Sequence, residues 1–281
     1  MNYMNKTEII NIISSDPEQK ILLSHIFDLC ERRNGRNVVT SSDFMSEPDS
    51  RLAEILINSI KAENFMLFGG YDEAERKCAV FLPDYFSEND ITDEPSLCDI
   101  GYIRAEVDKF NAGDADFSHR DVLGSLMGLG IERDLIGDII AEGGKAVFAV
   151  KSKIAPFICQ NLTKISRYPV TVTAFDKYEM TPKQNFISDS DTVASMRLDA
   201  VISSVFSVSR TAASDAVSGG LVFLNGLPVT KPDRAVNEGD KLTLRGKGKA
   251  VIDSVGGFSK KGRIRFSYKK YKALSQQMVD F

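Results

Sequence analysis

The stretch from Arg197 to Leu244 constrains this chain more than any other. Leu198, Val201, Ile202, Val205 and Phe206 fall at i, i+3, i+4, i+7 and i+8, one apolar stripe along a short helix. Ser209 stands where an N-cap oxygen accepts from first-turn amides, and Gly219 where a left-handed C-cap is wanted, so a second short helix lies between them. Leu221 to Leu224 reads as a strand and Asn225-Gly226 as a tight hairpin turn. Gly239-Asp240 makes a second turn before the strand Lys241-Leu242-Thr243-Leu244.

Arg197 opens the first of these helices and Arg210 the second. A helix N-terminus carries unpaired amides and a partial positive charge, so an arginine beside it makes a phosphate site. A solvated arginine at a helix end explains either residue alone. The order helix, Ser-Arg, helix, Gly-Gly, strand, Asn-Gly, Gly-Asp is much more specific, and it resembles the small RNA-binding domain named after ribosomal protein S4.

Charge separates along the chain in the same sense. The formal net charge is −4. Residues 195–281 carry 15 Lys and Arg against 7 Asp and Glu, a net of +8, which leaves −12 for residues 1–194. An acidic body with a basic C-terminal module is the asymmetry expected when one end meets phosphate. The basic tail holds Arg245, Lys247 and Lys249 between glycines. A hairpin is expected after it, with Val251-Ile252 and 263–268 as strands around Gly256-Gly257 and Lys260-Lys261-Gly262. Arg263 and Arg265 alternate with Ile264 and Phe266, which puts the charges on one strand face. The candidate RNA contacts are Arg197, Ser209, Arg210, Thr211, Ser214, Lys231 and Arg234 in the first part of the module. Arg245, Lys247, Lys249, Arg263 and Arg265 extend them as one basic surface.

At 281 residues with 43% apolar content, the chain is long enough for two or three domains. Residues 7–33 read as helical with a break, Asp16-Pro17 starting the second segment and Asn34-Gly35 stopping it. Val38-Val39 is a short edge strand. A helix from Pro48 to Ile60 turns Leu52, Ile55, Leu56 and Ile60 inward, and Phe65–Phe68 and Cys78–Leu82 are strands. Residues 98–176 then give a strand from Ile100 to Val107, a helix from Ser118 to Met127, strands Leu135–Ile140 and Ala146–Val150, a helix from Lys151 to Leu162, and a strand from Tyr168 to Phe175. Pro156 kinks that second helix or marks its first turn. Ser118 and Asp121 form a capping-box-like pair. This β-α-β-β-α-β order is ferredoxin-like, as in RNA-recognition modules, although their aromatic stacking signature is not legible. Residues 177–194 read as a linker. The expected fold class is α+β: an N-terminal α/β domain (1–90), a central ferredoxin-like, RRM-like domain (91–182) and an S4-like RNA-binding domain (183–281).

The chemistry of catalysis is not legible. Cys30, Cys78, Cys98 and Cys159 stand singly and the two histidines are far apart, so no metal-ligand spacing exists and reduced thiols in a cytoplasmic protein are expected. No secretion signal or membrane-spanning run is present. Ser118-His119-Arg120-Asp121 is not a kinase loop, because neither Gly-x-Gly-x-x-Gly nor Asp-Phe-Gly accompanies it. Gly128-Leu129-Gly130 is not a dinucleotide fingerprint. Asp189 and Asp191 lie in the linker without acid–base partners. No catalytic residue, metal or cofactor is expected. The competing class is an RNA-modifying enzyme of the pseudouridine-synthase or rRNA-methyltransferase type. The first needs a catalytic aspartate in a large mixed-sheet domain, the second a glycine-rich cofactor loop, and neither is visible.

Over nearly its full length the chain resembles the bacterial YlmH proteins. The resemblance rests on Gly69-Gly70-Tyr71-Asp72-Glu73-Ala74-Glu75-Arg76-Lys77, on the segment from Ser118 to Ile131, on Asp138-Ile139 and on the C-terminal module. It implies a non-enzymatic role on the large ribosomal subunit, engaging rRNA and peptidyl-tRNA in rescue of stalled nascent chains. A monomer with no membrane partner is expected.

Overall fold

The structure, a computed structural model, describes residues 5–107, 116–175 and 186–271. The chain divides into two compact units, Met1–Pro182 and Lys183–Phe281.

The first unit begins with α1 (Lys6–Ile13) and α2 (Pro17–Arg36). Asn5 and Asp16 cap them, each side chain accepting an amide three residues on. Asn34-Gly35 does not stop α2. The helix runs through them and ends where Asn37 turns left-handed, φ 53°. The short edge strand β1 falls at Thr40–Ser41, directly after Val38-Val39. On α3 (Glu47–Ser59), Leu52, Ala53, Leu56 and Ile57 are buried, while Ile55 and Ile60 stay half-buried. Two adjacent pairs one turn apart give a narrower buried face than the spacing implied. β2 (Phe65–Phe68) and β3 (Cys78–Phe81) complete a three-stranded antiparallel sheet of order β1-β3-β2, and α4 (Glu88–Asp93) follows.

The central elements are β4 (Ile100–Val107), α5 (His119–Gly128), β5 (Ile136–Glu142), β6 (Lys145–Lys151), α6 (Ala155–Asn161), β7 (Lys164–Ile165) and β8 (Tyr168–Phe175). Their antiparallel sheet has the order β5-β6-β4-β8-β7, the ferredoxin-like arrangement with one short strand added at the edge. Pro156 marks a first turn rather than a kink. A 3-10 turn at Ser152–Ile154 precedes α6, and Lys151 belongs to β6. One sheet face packs Ile103, Ala105 and Phe148 against Val122, Leu126 and Ile158 of the helices. On the other face Ile100, Tyr102 and Ala149 share a cluster with Phe44, Phe68, Cys78 and Val80. The buried Lys151 ammonium bonds Ser41 Oγ at 2.9 Å and the Ser42 carbonyl at 3.0 Å, and lies 3.5 Å from Asp99, so its charge is not left unpaired.

The second unit holds β9 (Phe186–Val193), α7 (Leu198–Val205), α8 (Arg210–Ser218), β10 (Val222–Leu224), β11 (Leu227–Pro228), β12 (Lys241–Leu244), β13 (Gly248–Phe258) and β14 (Ile264–Tyr271). They form a six-stranded sheet of order β11-β10-β12-β13-β14-β9. The stripe Leu198, Val201, Ile202, Val205 and Phe206 packs with Val222, Leu242, Ile252 and Phe266 in one core. Residues 186–193 are thus not a linker but an edge strand paired along β14, whereas 177–185 lie outside the described residues. Their polar sequence misled because the strand is exposed over most of its length, so no apolar alternation marks it. Asp189 and Asp191 also have partners there, Tyr268 and Ser204 respectively. Asn225 and Gly226 both have positive φ in the two-residue turn between β10 and β11. The left-handed residue after α8 is Gly220, φ 71°, not Gly219. Gly256 and Gly257 lie within β13 at a one-residue bulge rather than in the hairpin turn.

Candidate nucleic-acid interface

α7 and α8 pack together and bring two arginines onto one carboxylate. Asp199, in the first turn of α7, is 5% exposed. Arg197, at the N-cap, grips it as a fork through Nε and Nη2, both at 3.2 Å. Arg210, the first residue of α8, reaches Asp199 Oδ1 through Nη2 at 2.9 Å. Burial alone pushes the Asp199 carboxyl up, but the bonds from Arg197 and Arg210 outweigh it and hold the group below its ordinary value. The same bonds raise Arg197. Both guanidinium groups remain about half exposed, at 45% and 51% of the side chain. Two cations on one carboxylate leave a net positive charge, with unused N–H donors held in fixed positions.

The α7 terminus itself is not an open amide site. Leu198 N donates to the Arg234 carbonyl at 2.8 Å and Asp199 N to the Pro232 carbonyl at 3.0 Å. This corrects the expectation that Arg197 stands beside unpaired amides. The loop after β11 is laid along the helix start, and the Arg197–Ala235 bridge extends that pairing. It thereby draws the exposed Lys231 and Arg234 toward the arginine pair. At α8, Ser209 Oγ accepts from Ala212 N at 3.1 Å as expected. Among the described residues neither the Arg210 nor the Thr211 amide has a protein partner, so this terminus is the open one. Thr211 is exposed and Ser214 half-buried on the same helix.

The remaining candidates fall at two separate ends of the β13–β14 hairpin. Arg245 and Lys247 occupy the β12–β13 turn, at the opposite end of β13 from the β13–β14 tip. Eleven residues of strand separate those ends by roughly 30 Å. Lys249 does not sit in a loose glycine segment, because its backbone is paired opposite Thr243 in β13. Arg263 precedes β14 and is bound to β9, with Nη2 on the Thr192 carbonyl at 2.5 Å and Nε on Thr192 Oγ1 at 3.1 Å. Arg265 is exposed on β14. Asp199, which holds the arginine pair together, is the residue that sequence reasoning passed over. An aspartate in a first helical turn reads as an ordinary dipole partner, and only the packing of α7 on α8 shows that it joins Arg197 to Arg210, thirteen positions on.

In the first unit, the segments carrying the family resemblance meet around Asp138. Its carboxylate accepts from Tyr71 Oη at 2.8 Å, Glu75 N at 2.7 Å and Arg76 N at 3.0 Å. Burial nevertheless pushes that carboxyl above its ordinary value. Arg76 donates to the carbonyls of Ile136 (3.0 Å) and Phe44 (2.8 Å), and Arg133 to that of Ile136 (2.6 Å). His119 stands near Arg133 and Arg76, and burial followed by those charges pulls its pKa down to about 4. Its neighbour Asp121 is absorbed by the Ser118 capping box. Among the described residues no group of three or more His, Cys, Asp or Glu is placed to hold a metal ion.

The open-sheet surface that RNA-recognition modules use is largely taken here. Tyr102 on β4 is buried and donates to the Gly70 carbonyl at 2.5 Å, and Ala149 beside it is buried too. Beyond them Arg104 lies over the Phe175 ring at 5.1 Å, and Lys145 pairs with Glu106 at 3.1 Å. Among the described residues this surface carries no exposed aromatic pair for stacking.

Two family models match the chain. One, described as "Putative RNA-binding domain in YlmH", covers residues 97–179, and the S4 domain covers residues 196–242. A Bacillus subtilis (strain 168) protein named "Ribosome-associated protein quality control protein P2" is 34% identical over 205 residues, 73% of this chain and 77% of that protein. A solved structure titled "Cell division protein ylmH from Streptococcus pneumoniae" aligns at 19% identity and a TM-score of 0.45, over 58% of this chain and 93% of that one. No helix among the described residues is long and apolar enough to cross a membrane. With that identity spread over three quarters of both proteins, and with both domain models in register with the two units, the chain belongs to the YlmH family.

Proposed function

We propose that this protein is a non-enzymatic factor that binds structured RNA, rRNA or peptidyl-tRNA on the large ribosomal subunit, in rescue or quality control of stalled translation. The observation that carries the reading is the arginine pair on Asp199: two half-exposed guanidinium groups locked by a shared carboxylate beside the open terminus of α8. A phosphate arriving there meets donors that need no further ordering, which is how affinity is gained from positioning. The printed name of the Bacillus subtilis relative supports the ribosomal setting. The relevant RNA-binding surface in this reading belongs to residues 183–281, because the sheet face of the first unit is largely covered.

Filter binding of residues 183–281 and of residues 1–182 to a structured rRNA fragment, at equal salt, tests this. The basic piece binds, and the acidic piece binds at least about tenfold more weakly, since phosphate neutralisation dominates affinity. Equal affinities overturn the assignment. Crosslinking in cells followed by sequencing of the bound RNA identifies the partner, and turnover of labelled RNA by the pure protein, with or without S-adenosylmethionine, would replace this reading by an enzymatic one.

A further inference from the structure

The S4 match ends at residue 242, yet the sheet continues through the long β13–β14 hairpin. From Ser254 to Tyr271 that hairpin has six Lys and Arg and no acidic residue. Its tip carries a large exposed ring: Phe258 is 73% exposed, level with the most exposed large apolar side chains among the described residues. The strand geometry accounts for this. Val255 and Ile264 still pack against the core, whereas the bulge at Gly256-Gly257 shifts the register by one and carries Phe258 past the end of that core. Lys260 and Lys261 are exposed in the turn that follows it.

The tip is braced rather than loose. Ser259 N donates to the Arg263 carbonyl at 2.7 Å and Gly262 N to the Ser259 carbonyl at 2.9 Å, with Gly262 left-handed at φ 71°. Arg263 then ties the tip to β9 through both bonds to Thr192. A rigid finger presenting one ring beside cations loses little entropy when it engages a partner.

We propose that this tip is a second RNA contact of the protein, in which Phe258 stacks on an unpaired base while Lys260 and Lys261 hold the flanking phosphates. The inference rests on the RNA-binding reading above and adds to it a preference for a loop or bulge over a continuous duplex. A ring with flanking cations is the arrangement that takes single-stranded nucleotides, since every base has a face to stack on. A bilayer is the less suitable occupant, because one ring supplies too little apolar area to anchor a protein in lipid.

The test uses the full chain with two RNAs of equal phosphate count: a stem-loop with unpaired adenines, one replaced by 2-aminopurine, and a blunt duplex. Anionic phospholipid vesicles are the third probe. Phe258→Ala should weaken stem-loop binding about tenfold with an unchanged salt slope, abolish the 2-aminopurine fluorescence change and leave duplex binding as it was. Phe258→Tyr should behave like the unaltered protein. Because the ring is exposed, neither change should move the melting temperature. If Phe258→Ala binds both RNAs normally while Arg210→Ala weakens both, the RNA reading stands and the hairpin contact is wrong. Loss of vesicle binding alone in Phe258→Ala overturns it in favour of lipid. An unaltered protein that binds neither RNA overturns the contact together with the reading beneath it.

Discussion

Asp138 in the first unit and Asp199 in the second are both carboxylates surrounded by arginine, and they do opposite things. Around Asp138 every donor is internal: a tyrosine hydroxyl and two backbone amides fill its oxygens, while Arg76 and Arg133 bond carbonyls from separate segments. That arrangement staples the loop after β2 to β5. Around Asp199 the donors are two side chains that stay half in water. The opposite directions of the two carboxyl shifts report the same contrast. Desolvation prevails at Asp138, whereas at Asp199 desolvation is outweighed by the combined bonds and charges of two cations near the surface. An arginine–carboxylate cluster is therefore a fastener or a contact surface according to where its guanidinium groups end.

Removing the two carboxylates or their partners should separate those roles. Asp138→Ala strands three donors, and on that count should destabilise the first unit by about 3–5 kcal/mol while sparing the RNA affinity of the folded protein. Denaturant unfolding with two resolved transitions measures the first effect and filter binding the second. An equal loss in both would erase the distinction.

Acid should also divide the units. His119 has its folded pKa lowered from 6.5 to about 4, so the stability tied to its neutral form is whole above pH 6.5 and is lost as pH falls toward 4. The size is on the order of 2–3 kcal/mol. Asp138 acts in the reverse sense, since a raised carboxyl binds its proton more readily folded, and it offsets part of that loss. Asp199, being lowered, keeps its contribution until the pH drops below the ordinary carboxylate value of 3.8. At pH 5 the first transition should have weakened and the second should not. His119→Gln should flatten the pH dependence of the first alone, and a variant that retains the full slope removes His119 from the account.

The contact side of the comparison is sharpened by Arg210→Ala. It should cost roughly 1–3 kcal/mol of RNA affinity and lower the slope of log affinity against log salt by about one unit or less. The ion pair it breaks has a buried carboxylate but leaves the Arg197 fork in place, so stability should fall by roughly 1–2 kcal/mol. Lys249→Ala should cost less affinity, because a lone ammonium cannot grip a phosphate with two hydrogen bonds as the Arg210 guanidinium does. Wild-type affinity and slope in Arg210→Ala would place the phosphate site elsewhere. The smallest effect is expected from Asp121→Ala, about 1 kcal/mol lost from the first unit as the capping box opens, with no change in RNA binding.

Much of this was legible before any coordinates. The helix–helix–strand order around Arg197 and Arg210, the Asn225-Gly226 turn and the strands β4 and β8 are strong local signals, because caps, turns and apolar period act within a few residues. Weak local signals failed where tertiary pairing supplies the stability. The strand β9 is too polar to announce itself and exists because β14 offers it a full ladder. The bulge at Gly256-Gly257 read as a turn because glycine permits both.

The amino-acid order by itself determined most of the elements, the basic C-terminal module and the family, since each depends on residue type and spacing along the chain. Which cations share a surface was decided only by tertiary structure. Asp199 joins Arg197 to Arg210, the loop after β11 draws in Lys231 and Arg234, and the length of β13 separates Arg245 and Lys247 from the tip. Charge can be counted along a chain, but the direction in which a guanidinium faces depends on the carbonyls and carboxylates that packing places around it.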